Sequence, residues 1–230
     1  MLILAIDTSG KQGSIALARA GDRSADGNNN GFEVIEIAPL AGGTFSAQLI
    51  PQVGDLLAGN GFVRNDIGAF AVASGPGSFT GLRIGLAAVK ALAEVLGKPI
   101  AAVSLLEVCV FTSEVQGSIM PALDAGRGDV YVGQYLVPAE AGQTPREYLL
   151  TRSEFLSQAK GSTVVTPDSA LAQEAGAAGL SVTKLEPISA AAVAGLGWRK
   201  IQSGKTATPE QLEANYIRRT DAEMLEKIGS

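Results

Sequence analysis

The segment Gly81–Leu96 limits the folds open to this chain more than any other. Its charged residues are Arg83, Lys90 and Glu94, and they fall on one narrow stripe; everything else is apolar or small. A surface helix carries a single apolar stripe, so a helix that is apolar nearly all round has to be covered on several sides. Two kinds of cover would do. One is the chain's own sheet together with the helix expected at Thr44–Gly59. The other is a second polypeptide. Gly81 and Gly85 are four apart and Ala88 continues the row, which lets another helix come close. If the surface is open it calls for pairing, because large apolar patches are unusual on a monomer. The residues expected at such an interface are Phe45 and Leu49 on the first helix, with Leu82, Gly85, Ala88, Val89 and Leu92 on the second.

The patterns on either side set the fold class. Leu2–Asp7 reads as a buried strand, Ser14–Arg19 alternates as its hairpin partner, and Phe32–Ala38 alternates again. Phe45, Leu49, Val53, Leu56 and Leu57 recur at helical spacing, Ala69–Ala73 is an apolar strand, and Gly97-Lys98-Pro99 stops the helix that follows. Three early strands followed by alternating helices and strands predict an α/β protein with mixed sheets, not a pure Rossmann unit. A boundary near residue 100 divides it into residues 1–100 and 101–230, whose tail could pack back on the first part. In the second part the patterns predict helices at Leu105–Thr112, Ser153–Lys160, Ser169–Ala177 and Ala190–Ser203. Strands are expected at Ile119–Leu123, Val130–Val137, Arg146–Leu150 and Thr163–Thr166. Both halves open with a strand that runs into an Asp-containing turn, at Ala5–Gly10 and Leu123–Gly128.

The absent residue types exclude chemistry. There is no histidine. That removes Ser-His-Asp and Cys-His nucleophile activation, His-ligated zinc and the HExxH helix together. The single cysteine, Cys109, cannot form an internal disulfide, and its apolar neighbours favour packing over reactivity. The net charge of -5 argues against a strong grip on a polyanion by this chain alone. Met1–Ile6 is too short and lacks the basic flank of a signal peptide, and no apolar run approaches the roughly 18 residues of a membrane span. The expected setting is cytoplasmic.

Three turns have the makings of an anion cradle. Asp7-Thr8-Ser9-Gly10 ends the first strand; Ser74–Gly81 (SGPGSFTG) joins a strand to a helix; Asp124–Gly128 (DAGRG) ends another strand. Backbone N–H groups and small residues around phosphate, with a carboxylate for magnesium, would make a nucleotide site. Its residues would be Asp7, Thr8, Ser9, Gly75, Gly77, Asp124 and Arg127, in an actin-like ATPase or small-molecule kinase. Each turn also has a structural reading. Asp caps turns, and Ser78 or Thr80 can cap the helix behind the glycines. Gly195-Leu196-Gly197 is a faint candidate for an adenosine pocket. Trp198 is expected in the core with a solvated tip.

Ile3–Ser9 (ILAIDTS), Ser74–Gly85 (SGPGSFTGLRIG), Leu123–Tyr131 (LDAGRGDVY) and Tyr216–Glu223 (YIRRTDAE) occur in this order along nearly the whole chain. Together they resemble the TsaB (YeaZ) family. The resemblance implies an actin-like, RNase-H-like fold of two lobes. It implies a non-catalytic subunit that dimerises with a TsaD-type enzyme and, with a TsaE-type ATPase, serves threonylcarbamoylation of N6 of adenosine 37 in tRNA. It further implies self-pairing when alone, tRNA contact only through the complex, and any ATP or ADP at the interface of that complex. No catalytic residue and no metal ligand is expected in this chain. The catalytic paralogue carries two metal-binding histidines four apart, in a segment resembling Val103–Cys109, and the matching positions here are Leu105 and Cys109. A His-Ser pair common at the start of the first long helix stands here as Phe45-Ser46, which would enlarge the apolar face.

Overall fold

The structure is a computed structural model, and it describes residues 1–21, 31–139 and 145–217. The expected Ala20–Gly31 and Pro138–Pro145 loops lie largely outside the described residues, as does the YIRRTDAE motif beyond Ile217.

The chain forms two compact units. The first comprises Met1–Val108 and Ile188–Ala214; the second comprises Cys109–Pro187 and the chain from Asn215. The boundary thus falls later than residue 100, and residues 188–214, assigned to the second part from sequence, belong to the first unit. The reason is packing. A strand after residue 99 completes the first sheet, and the last helix covers one of that sheet's faces.

In the first unit β1 (Leu2–Asp7), β2 (Gly13–Ala20) and β3 (Phe32–Leu40) form an antiparallel meander. Then come α1 (Phe45–Gly59), β4 (Ile67–Gly75), α2 (Phe79–Leu96) and β5 (Ile100–Ser104), with β4 parallel to β1 and β5 parallel to β4. The sheet order is β3-β2-β1-β4-β5. All six residues of the central β1 are buried, as expected for a strand covered on both faces.

Side-chain alternation divides the two faces. Leu2, Leu4, Ile6, Phe70 and Val72 join a core cluster with Phe45, Leu49, Val53 and Leu57 of α1 and with Leu82, Leu86 and Val89 of α2. The residues of opposite parity are small. Ala16, Ala5, Ala71 and Ala101 are paired across β2, β1, β4 and β5 and are fully buried. The helix α6 (Ala190–Gln202) lies over this alanine row, and Gly197 comes so near that a Cβ there would sit 2.5 Å from the Cβ of Ala71. After α6, Ala207 pairs with Ile100 through two backbone hydrogen bonds, and Leu212 is buried in the α1–α2 cluster.

The second unit repeats the plan. The helix α3 (Leu105–Ser113) spans the unit boundary and leads into the antiparallel strands β6 (Gly117–Gly126), β7 (Asp129–Val137) and β8 (Arg146–Thr151). They are followed by α4 (Arg152–Gln158), β9 (Thr163–Thr166), α5 (Ser169–Ala177) and β10 (Val182–Lys184). Its order, read as β8-β7-β6-β9-β10, is again third-second-first-fourth-fifth in chain order, with the last two strands parallel. Phe155, Leu171 and Ala175 of its helices pack with Met120, Val130 and Val164 of its strands.

The tight contact of α6 with the alanine row gives a stability test. Gly197→Val should destabilise by about 2 kcal/mol, the usual cost of overpacking a filled core. Gly176→Ala, on a helical site with open space, should stabilise by about 0.5 kcal/mol. Denaturant midpoints for the two variants check both signs.

Candidate functional site

The N-terminal turn and the glycine loop meet in the first unit. Asp7, Thr8 and Ser9 are all buried. The Asp7 carboxylate accepts from the Ser9 N–H at 2.9 Å and from the Ser9 hydroxyl at 2.6 Å, closing a turn on itself. The Thr8 hydroxyl donates to the Gly81 carbonyl at 2.7 Å, and the Ser78 N–H donates to the Ser9 carbonyl at 2.7 Å. Glycine is required at this contact. A Cβ would lie 2.6 Å from the Ser9 oxygen at Gly77, 2.0 Å from the Thr8 oxygen at Gly81 and 2.4 Å from the Thr8 hydroxyl at Gly85. The two turns therefore touch backbone to backbone. Ser78, and not Thr80, caps α2, accepting from the Gly81 N–H at 3.3 Å. Burial pushes the Asp7 carboxyl above the ordinary carboxylate range, against the lowering effect of its two Ser9 hydrogen bonds.

Asp124 and Arg127 belong to the second unit. Gly126 and Asp129 close a two-residue hairpin in which Arg127 and Gly128 both have positive φ, 58° and 86°, the geometry of a type I′ turn. Arg127 is exposed at its tip. Asp124 is ion-paired with Arg152 at 3.1 Å, and the other arm of that guanidinium reaches Glu174 at 2.5 Å. Glu174 and Asp124 hold the guanidinium charged, raising its pKa. In the same unit Glu147 accepts from Tyr135 at 2.6 Å and from Asn215 at 2.5 Å, which fixes the chain just before Tyr216.

The implied metal site does not fit the residues present. Leu105 has no donor atom, and Cys109 is fully buried, with desolvation pushing its thiol up to about 12, far from the thiolate that metals bind. Among the described residues no three His, Cys, Asp or Glu side chains gather at one place. Two lesser expectations are corrected. Gly195-Leu196-Gly197 lies inside α6 with Leu196 and Gly197 buried, so it lines no nucleotide pocket. The indole Nε1 of Trp198 is buried and makes no hydrogen bond among the described residues, so its tip is not solvated.

The helix residues expected at an interface separate into two groups. Phe45, Leu49, Leu82, Gly85 and Val89 face inward and are buried in the first unit's core, so they are not available to a partner. Phe45 packs against the Gly13 backbone, and its presence in place of histidine fills the core instead of widening the outer face. Ala88 and Leu92 are half-buried. Ala88 also belongs to a second stripe on α2, formed by Ile84, Ala88, Ala91 and Val95, spaced four, three and four, with Ile84 and Ala88 resting partly on the core and Val95 77% exposed. On α1, Ala47, Ile50, Pro51, Gly54 and Ala58 are exposed, Ile50 by 51%. The signal was present in the sequence as two interleaved apolar periodicities. Nearby, the Arg83 guanidinium stacks on Phe79 at 3.7 Å. No described helix is long and apolar enough to cross a membrane.

Residues 39–200 match the family described as "TsaD: tRNA N6-adenosine threonylcarbamoyltransferase". Among solved structures, YeaZ from Pseudomonas aeruginosa superposes with a TM-score of 0.68 at 22% identity, covering 94% of this chain and 99% of that one. A second structure, of a protein described as similar to peptidase YEAZ from the same organism, gives 0.69 at 24% identity, with 94% and 99% covered. The fold is accordingly actin-like and RNase-H-like. Two relatives named tRNA threonylcarbamoyladenosine biosynthesis protein TsaB were compared by sequence. That of Bacillus subtilis is 38% identical over 59% of this chain and 55% of its own length. That of Escherichia coli is 34% identical over 59% and 55%. The chain thus spans about half the length of the curated relatives it matches. By the family match this chain belongs to the TsaD family of tRNA N6-adenosine threonylcarbamoyltransferases.

The buried carboxylate predicts a pH effect. A folded-state pKa raised above 3.8 means the native state binds the proton more tightly than the unfolded chain does. The contribution of Asp7 to stability therefore falls as pH climbs from that ordinary value through the folded pKa, then levels off. Asp7→Asn keeps an acceptor oxygen for Ser9 and carries no charge. The variant should gain stability relative to the parent over that window, read as the difference between two denaturation series against pH.

Proposed function

We propose that this chain is a non-catalytic subunit that supports a TsaD-type enzyme in threonylcarbamoylation of N6 of adenosine 37 in tRNA. A TsaE-type ATPase would complete the assembly, in the cytoplasm. The observation that carries the reading is the second apolar stripe on α2 together with the apolar, small outer side of α1. Both helices pack apolar residues inward, and Ile84 and Ala88 of the outer stripe rest partly on that core, while Ala91 and Val95 on α2 and Ile50 on α1 stay exposed. Spacings of four and three are those by which helices interlock with helices, and small residues at such a seam allow close approach. The relatives named for threonylcarbamoyladenosine biosynthesis supply the pathway.

The missing chemistry supports a subunit over an enzyme. There is no histidine, Cys109 is a buried thiol, and the Asp7–Ser9 turn lies directly against the glycine loop at Gly77 and Gly81. With a net charge of -5, the chain would meet tRNA through the complex and not by its own grip. Without the enzyme, the same stripe would pair two copies of this chain.

Two measurements test the proposal. Ala91→Glu places a charge in the middle of the outer stripe, at an exposed position where the fold tolerates it. Capture of the TsaD-type enzyme should fall by at least about tenfold, the scale of a charge buried without a partner, while thermal unfolding stays unchanged; unaltered capture would rule out this face. Calorimetry of the isolated chain with Mg-ATP should give no micromolar binding. Micromolar binding lost in Asp7→Ala would instead favour an actin-like ATPase.

A further inference from the structure

We infer that Thr8 is the residue that positions α2 for docking, and this rests on the subunit reading above. The Thr8 side chain does two things to α2 at once. Its hydroxyl donates to the Gly81 carbonyl within the helix's first turn, and the same oxygen fills the notch left by the missing side chain at Gly85, one turn on. Both contacts lie on the inward side of α2, at residues that alternate with the outer stripe. Thr8 is buried and touches no residue of that stripe in any contact described above. Its other neighbours hold it still. Asp7 is locked to Ser9, Ser9 is locked to Ser78, and Gly77 and Gly81 admit no side chain against the turn. The hydroxyl is therefore a fixed peg on a fixed turn, and the helix is seated on it.

A helix held at one turn by a peg and a notch cannot slide or roll without breaking the hydrogen bond or leaving the notch empty. The seat fixes which residues of α2 point outward, and so how Ile84, Ala88, Ala91 and Val95 are presented. Thr8 thus acts through α2 and is a positioning residue, one shell removed from the contact itself.

The test uses the full chain and the TsaD-type enzyme. Thr8→Val keeps the shape and removes the donor; Thr8→Ser keeps the donor. Affinity, measured well below the unfolding temperature, should fall about threefold to tenfold in the valine variant, the scale of one buried hydrogen bond. The serine variant should stay close to the parent. If the valine variant binds like the parent while unfolding at lower temperature, Thr8 is only structural and the inference falls. A second cycle reads the notch. Gly85→Ala alone should weaken capture, because its Cβ meets the Thr8 hydroxyl. On a Thr8→Ala background it should cost nothing more, since the next neighbours, Ile6 and the Thr8 Cβ, lie at 3.5 and 3.7 Å. Additive losses would overturn the notch. If the parent captures no enzyme, the subunit reading fails, and amide exchange decides the rest on the isolated chain. Faster exchange at Leu82–Val89 in Thr8→Val than in Thr8→Ser upholds the peg, and equal exchange removes it.

Discussion

The first unit depends on a contact in which two stretches of backbone meet with no side chain between them. Gly77, Gly81 and Gly85 leave room for the Asp7–Ser9 turn to lie directly against the start of α2. A glycine loop between strand and helix is a common way to hold phosphate, because bare N–H groups converge on a hollow. Here the hollow is taken by the carbonyls of Thr8 and Ser9 and by the Thr8 hydroxyl. The same residue types that could have made a nucleotide cradle make a seat for a helix. What decides between the two outcomes is where the neighbouring turn sits, and the composition of the loop does not encode that.

The two units share a strand order and differ in what the order is used for. In each, a three-stranded meander is followed by two parallel strands, so the first strand is central and its C-terminal end opens into a turn. In the first unit that turn is buried under α2. In the second it is a hairpin with Arg127 at its exposed tip and Asp124 committed to Arg152. The helical cover also differs in grain. The alanine row under α6 brings helix and sheet unusually close, which is why Gly197 has no room for a side chain. In the second unit the cover is built from larger side chains such as Phe155 and Leu171.

Much of this was legible in the sequence. The early meander, α1, α2, β9, α5 and α6 follow from hydrophobic period and breakers, and the fold class follows from their order. The parallel strands β5 and β10 were missed, for a physical reason. Ile100–Ser104 follows a breaker directly and runs straight into α3, so no turn marks its end, and Val182–Lys184 is three residues long. The missing β5 moved the unit boundary, and the return of α6 to the first unit could not be read from local pattern, since α6 packs on strands far back in the chain, β1 and β2 among them. The site was legible in its parts only. Asp7–Ser9 and Gly75–Gly77 read as loops of one kind, but their mutual contact is tertiary. The interface residues were chosen for hydrophobicity, and hydrophobicity ranks the inward residues Leu49, Leu82 and Val89 first.

That bias explains why α2 looked as if it had to be either buried by its own sheet or covered by a partner. It carries a buried apolar stripe and an outer one. Leu82, Leu86, Val89 and Ala93 face the sheet, Ile84, Ala88, Ala91 and Val95 form the outer stripe, and Arg83, Lys90 and Glu94 run along a narrow polar line. Burial separates the stripes where apolarity alone merges them: Leu82, Leu86, Val89 and Ala93 are buried, whereas Ala91 and Val95 are exposed. Val95 exposes more of its surface than any other large apolar residue described, and it stands at the end of the stripe opposite the seat on Thr8. A roll of the helix about that seat would displace the whole outer row together, so a single buried hydroxyl has leverage over a surface it never touches.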